Sequence, residues 1–217
     1  MKHQILYSIL TDQQLNHWEK LVNNNIESLL LYSDQLLWWN KKINLISRDV
    51  SHETVFEHIK HSLIIGALDC VQKAEHIIDA GSGGGIPGIP LALSYPNKTI
   101  LLNDIVSKKV MSMKQIAYKL KLDNVSTVHG SVALLEMGAS QLVVSKHAFK
   151  VDELVGLLGD RKWSTLIFLK GANEAESEIR KLDIPVSSNI IELEMSIDDP
   201  FYKGKGIVEV RKLNEKL

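Results

Sequence analysis

The stretch that most constrains this chain is Ile77-Ile78-Asp79-Ala80-Gly81-Ser82-Gly83-Gly84-Gly85-Ile86-Pro87-Gly88-Ile89-Pro90-Leu91-Ala92. Two β-branched residues run into an acid, then a glycine cluster, then an apolar segment able to wind into a helix, which predicts strand, loop, helix. Such a loop turns tightly, exposes its N–H groups and lets a ligand approach the backbone, and the helix N-terminus behind it adds partial positive charge. Pro87 and Pro90 suit a first helical turn, where N–H groups lack intrahelical partners. The glycines alone do not name the ligand.

Around this loop the chain divides by texture. From Thr11 to Asn40 apolar residues recur at three-to-four spacing (Leu15, Trp18, Leu21, Val22, then Ile26, Leu29, Leu30, Leu36, Leu37), predicting two amphipathic helices broken near Asn23-Asn24-Asn25. A third helix is expected after Ser51, a good N-cap. From Glu75 onward short β-branched runs alternate with helical stretches, the pattern of a mostly parallel sheet covered by helices. Strands are expected at 75–80, 99–104, 124–129, 141–145, 164–169, 188–195 and 206–212, and helices at 87–95, 107–121, 131–137, 151–159 and 173–182. The expected organisation is an N-terminal helical cap over 1–70 and an α/β domain over 71–217, in one compact unit; 217 residues would cramp two full domains.

Charge and cysteine usage narrow the class. Lys+Arg 25 against Asp+Glu 26 leaves a net charge of −1, so any nucleic-acid affinity must come from a local basic patch. The single cysteine, Cys70, forms no internal disulfide and reads as a buried structural thiol. No apolar run of transmembrane length and no signal-peptide core is seen, so a soluble, cytoplasmic protein is expected.

Two cofactor classes compete for the loop. Gly83 to Gly88 satisfies the dinucleotide pattern G-x-G-x-x-G, a weak signal by itself. Asp79 to Gly85, an acid at a strand end followed by G-x-G-x-G, resembles motif I of the class I S-adenosylmethionine-dependent methyltransferases, a Rossmann-like sheet with helices on both faces. Asp104, ending the next strand about twenty residues on, suits a ribose hydroxyl in either class, or is a turn acid before Ser107. Lys108, Lys109 and Lys114 on the following helix are solvated cations or phosphate contacts. No histidine, cysteine and acid set suggests a metal.

The end of the fourth strand, Leu142-Val143-Val144-Ser145-Lys146-His147-Ala148, is where this architecture presents reacting groups. It lacks the Asn/Asp-Pro-Pro-aromatic sequence of enzymes that methylate exocyclic amines. The look-alike Asp198-Asp199-Pro200-Phe201-Tyr202 falls between the last two strands and reads as a hairpin loop. Pyrimidine C5 methylation needs a cysteine nucleophile, and Cys70 precedes the loop. A nucleophile needing no activation remains, such as guanine N7, which carries no proton to remove. Lys146 suits the cofactor carboxylate or the base O6, or is a plain surface lysine.

These residues together resemble the small-subunit ribosomal RNA guanine-N7 methyltransferases, once called glucose-inhibited division protein B. Leu36-Leu37-Trp38-Trp39-Asn40-Lys41-Lys42-Ile43-Asn44-Leu45 looks like the family's L-x-x-W-N-x-x-x-N-L, His58 to Leu63 like its R-H-I-x-D-S-L, and Asp79 to Ala92 like D-x-G-S-G-x-G-x-P-G-I-P-L-A. Lys108-Lys109 and Leu169-Lys170-Gly171 fall where that family has K-K and L-K-G. The resemblance implies transfer of a methyl group from S-adenosylmethionine to N7 of a guanine in the 530 loop of 16S ribosomal RNA, with the small ribosomal subunit as partner; a monomer and no membrane partner are expected. It implies cofactor contacts at Gly81, Ile86, Val132, Ala133 and Lys146, beside the motif candidates Ser82, Gly83, Gly85 and Asp104; His58, Lys108 and Lys109 are candidates for RNA. Glu57, His61 and Lys146 stand where the family usually has Arg, Asp and Arg. Two other readings fit parts of the chain: a nicotinamide-dependent oxidoreductase, for which no hydride-transfer acid or base is evident, and a non-catalytic RNA or ribosome-assembly factor retaining the fold.

Overall fold

The computed structural model describes residues 3–47, 49–138 and 141–213. In chain order the elements are β1 (His3–Ser8), α1 (Asp12–Asn24), α2 (Ile26–Asn40), α3 (His52–Leu63), α4 (Asp69–Lys73), β2 (His76–Ala80), α5 (Gly88–Ser94), β3 (Thr99–Asp104), α6 (Ser107–Lys119), β4 (Val125–His129), β5 (Gln141–Lys146), α7 (Val151–Leu158), β6 (Trp163–Gly171), α8 (Ala172–Ile179), β7 (Val186–Glu192) and β8 (Lys205–Lys212). Among the described residues the strands form one sheet in the order β1-β7-β8-β6-β5-β2-β3-β4. β8 runs antiparallel to both neighbours and the other pairings are parallel.

Local signals explain most element ends. Thr11 caps α1 through the Gln14 N–H at 3.2 Å while the Gln14 side chain accepts from the Thr11 N–H at 3.0 Å, a reciprocal capping box. The Asn25 amide donates to the Leu21 carbonyl at 2.8 Å and stops α1 where the asparagine run predicts a break. Ser51 caps α3 through the Thr54 N–H.

Both faces of the sheet are covered, so its central strands read as apolar runs rather than alternating ones. Ile77, Leu142, Val144 and Ile167 face a core shared with α1, α2, α3, α5 and α6, whereas Ile78, Val143 and Leu166 face a second core under α7 and α8. The N-terminal helices therefore pack on the sheet through the larger core.

Three expectations change. The chain begins with a strand the sequence reading does not contain: β1 pairs with β7 at the sheet edge, and its six residues, with Leu6 and Tyr7 exposed, carry no clean burial pattern. The helix expected at 131–137 is a single 3-10 turn, Val132–Leu134, because the backbone returns to an extended conformation at Leu135, and the Ala133 carbonyl accepts from Arg161 rather than from a further helical turn. The strand expected at 188–195 runs instead from Val186 to Glu192, and Leu193 begins a turn. Cys70 is part-buried in α4, where burial pushes its thiol up to about 12. No described helix is long and apolar enough to cross a membrane.

Candidate cofactor and substrate site

From β2 the sheet grows through β3 and β4 on one side and through β5 on the other. At such a reversal the connecting loops diverge and leave a crevice outside the carboxyl ends of the strands. Its floor is stitched at the strand ends, where the Ser145 hydroxyl donates to the Ala80 carbonyl at 2.9 Å.

The glycine loop begins there. Gly81 adopts φ +70°, and a Cβ on it would lie 2.4 Å from the Ala148 Cβ, so the loops after β2 and β5 approach to a distance only glycine permits. The Ser82 hydroxyl donates to the Asp79 carbonyl at 2.7 Å and accepts from the Asn103 N–H at 3.1 Å. The Gly88 N–H donates to Asp79 Oδ2 at 2.8 Å, and a Cβ at Gly88 would collide with Leu102 and this carboxylate. From behind, the buried Tyr32 hydroxyl of α2 donates to the Gly84 carbonyl at 3.0 Å. The loop is thus held from β3, α5 and the N-terminal helices before any ligand arrives.

Asp79 is fully buried, and desolvation raises its carboxyl from 3.8 to about 7 against the opposing Gly88 hydrogen bond. Its Oδ1 has no hydrogen-bond partner among the described residues. Asp104 does the work of a turn acid: Oδ1 accepts from the Val106 N–H at 2.8 Å and Oδ2 from the Gly83 N–H at 3.0 Å, tying the glycine loop to the start of α6. A carboxylate oxygen offers two lone pairs, so these bonds leave capacity for a ligand hydroxyl.

A cavity of about 750 Å³ opens beside the loop. Gly81, Ser82, Gly83 and Ile86 line one wall, and Lys146, His58 and Lys109 reach it from β5, α3 and α6. Gly85, Asp104, Val132, Ala133 and Lys108 do not line it. Gly85 faces Ile89, and Val132 is buried in the second core. Val132 and Ala133 follow β4, whose end is held to β3 by the Asn103 amide donating to the Val128 and Gly130 carbonyls.

The far wall is one the sequence reading missed: Leu45, Ile46 and Ser47 from the α2–α3 connection, with His147 and Ala148 after β5. Its signal lies in Asn40. The Asn40 Oδ1 accepts from the Leu45 and Ile46 N–H groups at 2.9 and 3.0 Å, and its amide donates to the Ser47 carbonyl at 3.1 Å, so one side chain shapes the wall.

At the inner end Lys146 Nζ donates to the His58 carbonyl at 3.3 Å and lies 3.5 Å from His58 Nδ1. Burial, then the Lys205 ammonium, push Lys146 down to about 8. Burial and Lys146 push His58 down to about 4, so the ring is neutral near pH 7. His61 is buried with neither ring nitrogen hydrogen-bonded among the described residues, and desolvation holds its pKa well below the ordinary value. Phe201 and Tyr202, from the 3-10 turn linking β7 and β8, pack edge-on against it with ring centroids 5.9 and 5.8 Å away. The hairpin segment expected to be mere connection therefore backs the site, with Phe201 also 5.2 Å from His58.

A family model described as rRNA small subunit methyltransferase G matches residues 25–197. The chain belongs to the rRNA small subunit methyltransferase G family. Relatives named ribosomal RNA small subunit methyltransferase G include one from Chlorobium limicola, 33% identical with 94% of each chain covered, and one from Chlorobaculum tepidum, 31% identical over 90% of this chain and 93% of that one. Among solved structures, an O-methyltransferase from Bacillus cereus in complex with SAH superposes with a TM-score of 0.55 at 15% identity, covering 84% of this chain and 90% of that one. That likeness shows the fold, a class I S-adenosylmethionine-dependent methyltransferase sheet. Membership of this family does not favour the nicotinamide reading or the non-catalytic one.

Proposed function

We propose that this protein transfers the methyl group of S-adenosylmethionine to N7 of a guanine in the 530 loop of 16S ribosomal RNA, working as a cytoplasmic monomer on the small ribosomal subunit. The observation that carries the reading is the cavity at the sheet reversal, where the glycine loop, Lys146 and His58 line one hollow and Phe201 packs behind His58. The residues fit this cofactor: a side chain at Gly81 would close the cradle onto Ala148, and Asp79 Oδ1 is a buried acceptor without a partner among the described residues.

When bound, the cofactor supplies an electrophilic methyl on a sulfonium. Gly81, Ser82, Gly83 and Ile86, which line the cavity, would hold it along the loop. The family resemblance adds Gly85, Asp104 for ribose hydroxyls, and Val132 and Ala133 beside the base, which lie outside the cavity lining and would reach the cofactor only at its edges. Lys146 is the cation for its carboxylate, a point charge in place of a guanidinium fork. Guanine N7 would form its bond to the methyl with its own lone pair as the methyl–sulfur bond breaks and S-adenosylhomocysteine leaves, so no residue needs to remove a proton. What the chain contributes is alignment within a cavity walled by Leu45, Ile46 and Ser47, with O6 of the base as the alternative partner for the Lys146 ammonium. His58, Lys108 and Lys109 are assigned to the RNA.

The test is incubation with tritiated cofactor and small subunits lacking the modification, followed by borohydride and aniline cleavage at N7-methylated guanines. Label at one guanine of the 530 loop supports the reading. Label on another atom or on a ribosomal protein overturns it.

A further inference from the structure

Beyond the cavity, on its α2 side, the surface carries an exposed tryptophan ring. Trp38 is 49% exposed although Trp39 beside it is part-buried against the core. The two rings stand edge to face at 5.1 Å, and Lys42 Nζ lies 3.5 Å from the centre of the Trp38 ring. Next to them a second cavity of about 490 Å³ is lined by Asn40, Lys41, Lys42, Asp49 and Val50 among others. Asp49 and Val50 line the methyl-transfer cavity as well, so the two hollows share a wall. Across α6, Lys108 is exposed and Lys109 reaches the larger cavity.

Lys41, Lys42, Lys108 and Lys109 make no ion pair with a carboxylate among the described residues. On a chain of net charge −1 this sets Lys42 on the exposed ring, Lys41 beside it on the smaller cavity, and Lys109 on the cavity that shares its wall. An aromatic face flanked by unpaired ammonium groups suits a base stacked on the ring with its phosphates on the cations, and stacking of this kind tolerates any base. Asp49 is the one carboxylate among these lining residues, and it lines both cavities.

We propose that Trp38, Lys41 and Lys42 form a docking platform for a single-stranded nucleotide flanking the target base, stacked on Trp38 while Lys41 and Lys42 hold its phosphates. The inference rests on the RNA-methyltransferase reading for its partner. It adds a substrate-docking surface outside the cofactor cavity, in which Lys42, now on the ring, leaves it for phosphate as the base arrives.

The experiment measures binding and turnover separately with unmodified small ribosomal subunits, for the wild type and for Trp38→Ala, Trp38→Phe, Lys41→Gln, Lys42→Gln and a remote control, Lys20→Gln. All sit at exposed or part-exposed positions, and S-adenosylhomocysteine calorimetry confirms that the cofactor site is intact. Trp38→Ala weakens subunit binding and raises KM roughly tenfold. Trp38→Phe recovers most of that, while Lys41→Gln and Lys42→Gln each lower the slope of log affinity against log salt by about one. Lys20→Gln leaves the slope alone. Unchanged binding in Trp38→Ala, an equal slope loss in Lys20→Gln, or an ultraviolet crosslink from Trp38 to a ribosomal protein instead of RNA overturns the platform. If the wild type binds subunits without methylating them, the catalytic reading fails and the binding series still decides the platform. If it does not bind them at all, both fail.

Discussion

Replacing Gly81 by alanine tests the central geometric claim, that the loops after β2 and β5 are set by one missing methyl group. At φ +70° an L side chain costs about 1–2 kcal/mol. The new Cβ would also lie 2.4 Å from the Ala148 Cβ and 3.1 Å from Phe149 Cε2, so the β5–α7 connection must move by roughly an ångström, an overpacking cost of about 1–3 kcal/mol. The sum, about 2–5 kcal/mol, is a large part of a typical domain's stability of about 5–15 kcal/mol. The same displacement moves His147 and Ala148 on the cavity wall, and a shift of about 1 Å there is expected to slow methyl transfer about a hundredfold. Urea midpoints, calorimetric binding of S-adenosylhomocysteine and turnover are measured in Gly81→Ala, Ala148→Gly and the double variant. Removing the Ala148 methyl relieves the collision and leaves the backbone strain, so the double variant recovers the packing share and retains a loss of about 1–2 kcal/mol. Gly81→Ala with wild-type stability and affinity, or a double variant no better than Gly81→Ala, would refute the reasoning.

Other expectations follow from the buried groups. Asp79 is held at about 7 in the folded protein against 3.8 ordinarily, so the native state binds more protons between those values and stability falls as pH rises from about 4 to about 7. Urea midpoints of Asp79→Asn lack that decline, and an identical pH profile would show the acid is not the source. Lys146 loses its charge near pH 8, so S-adenosylhomocysteine affinity drops as pH rises through that value in the wild type and stays level in Lys146→Arg. Parallel pH profiles in calorimetry would remove Lys146 from the carboxylate. Tyr32→Phe strips the hydrogen bond to the Gly84 carbonyl and costs about 1–2 kcal/mol by denaturation, with weaker cofactor binding because the loop loses its support from α2.

Much of the fold was legible because its signals are local. The glycine loop, the Ser51 cap, the asparagine break and the apolar central strands act within a few residues, and the structure places them where periodicity and capping rules predict. β1 escaped because its stability comes from β7, more than 170 residues away in sequence, and its own pattern is ambiguous. The turn at Val132–Leu134 escaped for a related reason, since its Ala133 carbonyl finds its partner in Arg161, far along the chain, and not in a following helical turn.

The site divides the same way. The amino-acid order alone determined that a cofactor loop exists, that Asp79 and Asp104 stand at successive strand ends, and that no amine-methylation motif or placed cysteine accompanies them. Only the tertiary structure decided what faces the loop: the Leu45–Ser47 wall shaped by Asn40, the Phe201 and Tyr202 rings behind His58 and His61, and the depressed Lys146 charge between them. Backbone conformation is written in neighbouring residues, whereas desolvation and through-space charge depend on groups brought together from α2, α3, β5 and the β7–β8 turn, and no spacing along the chain encodes that encounter.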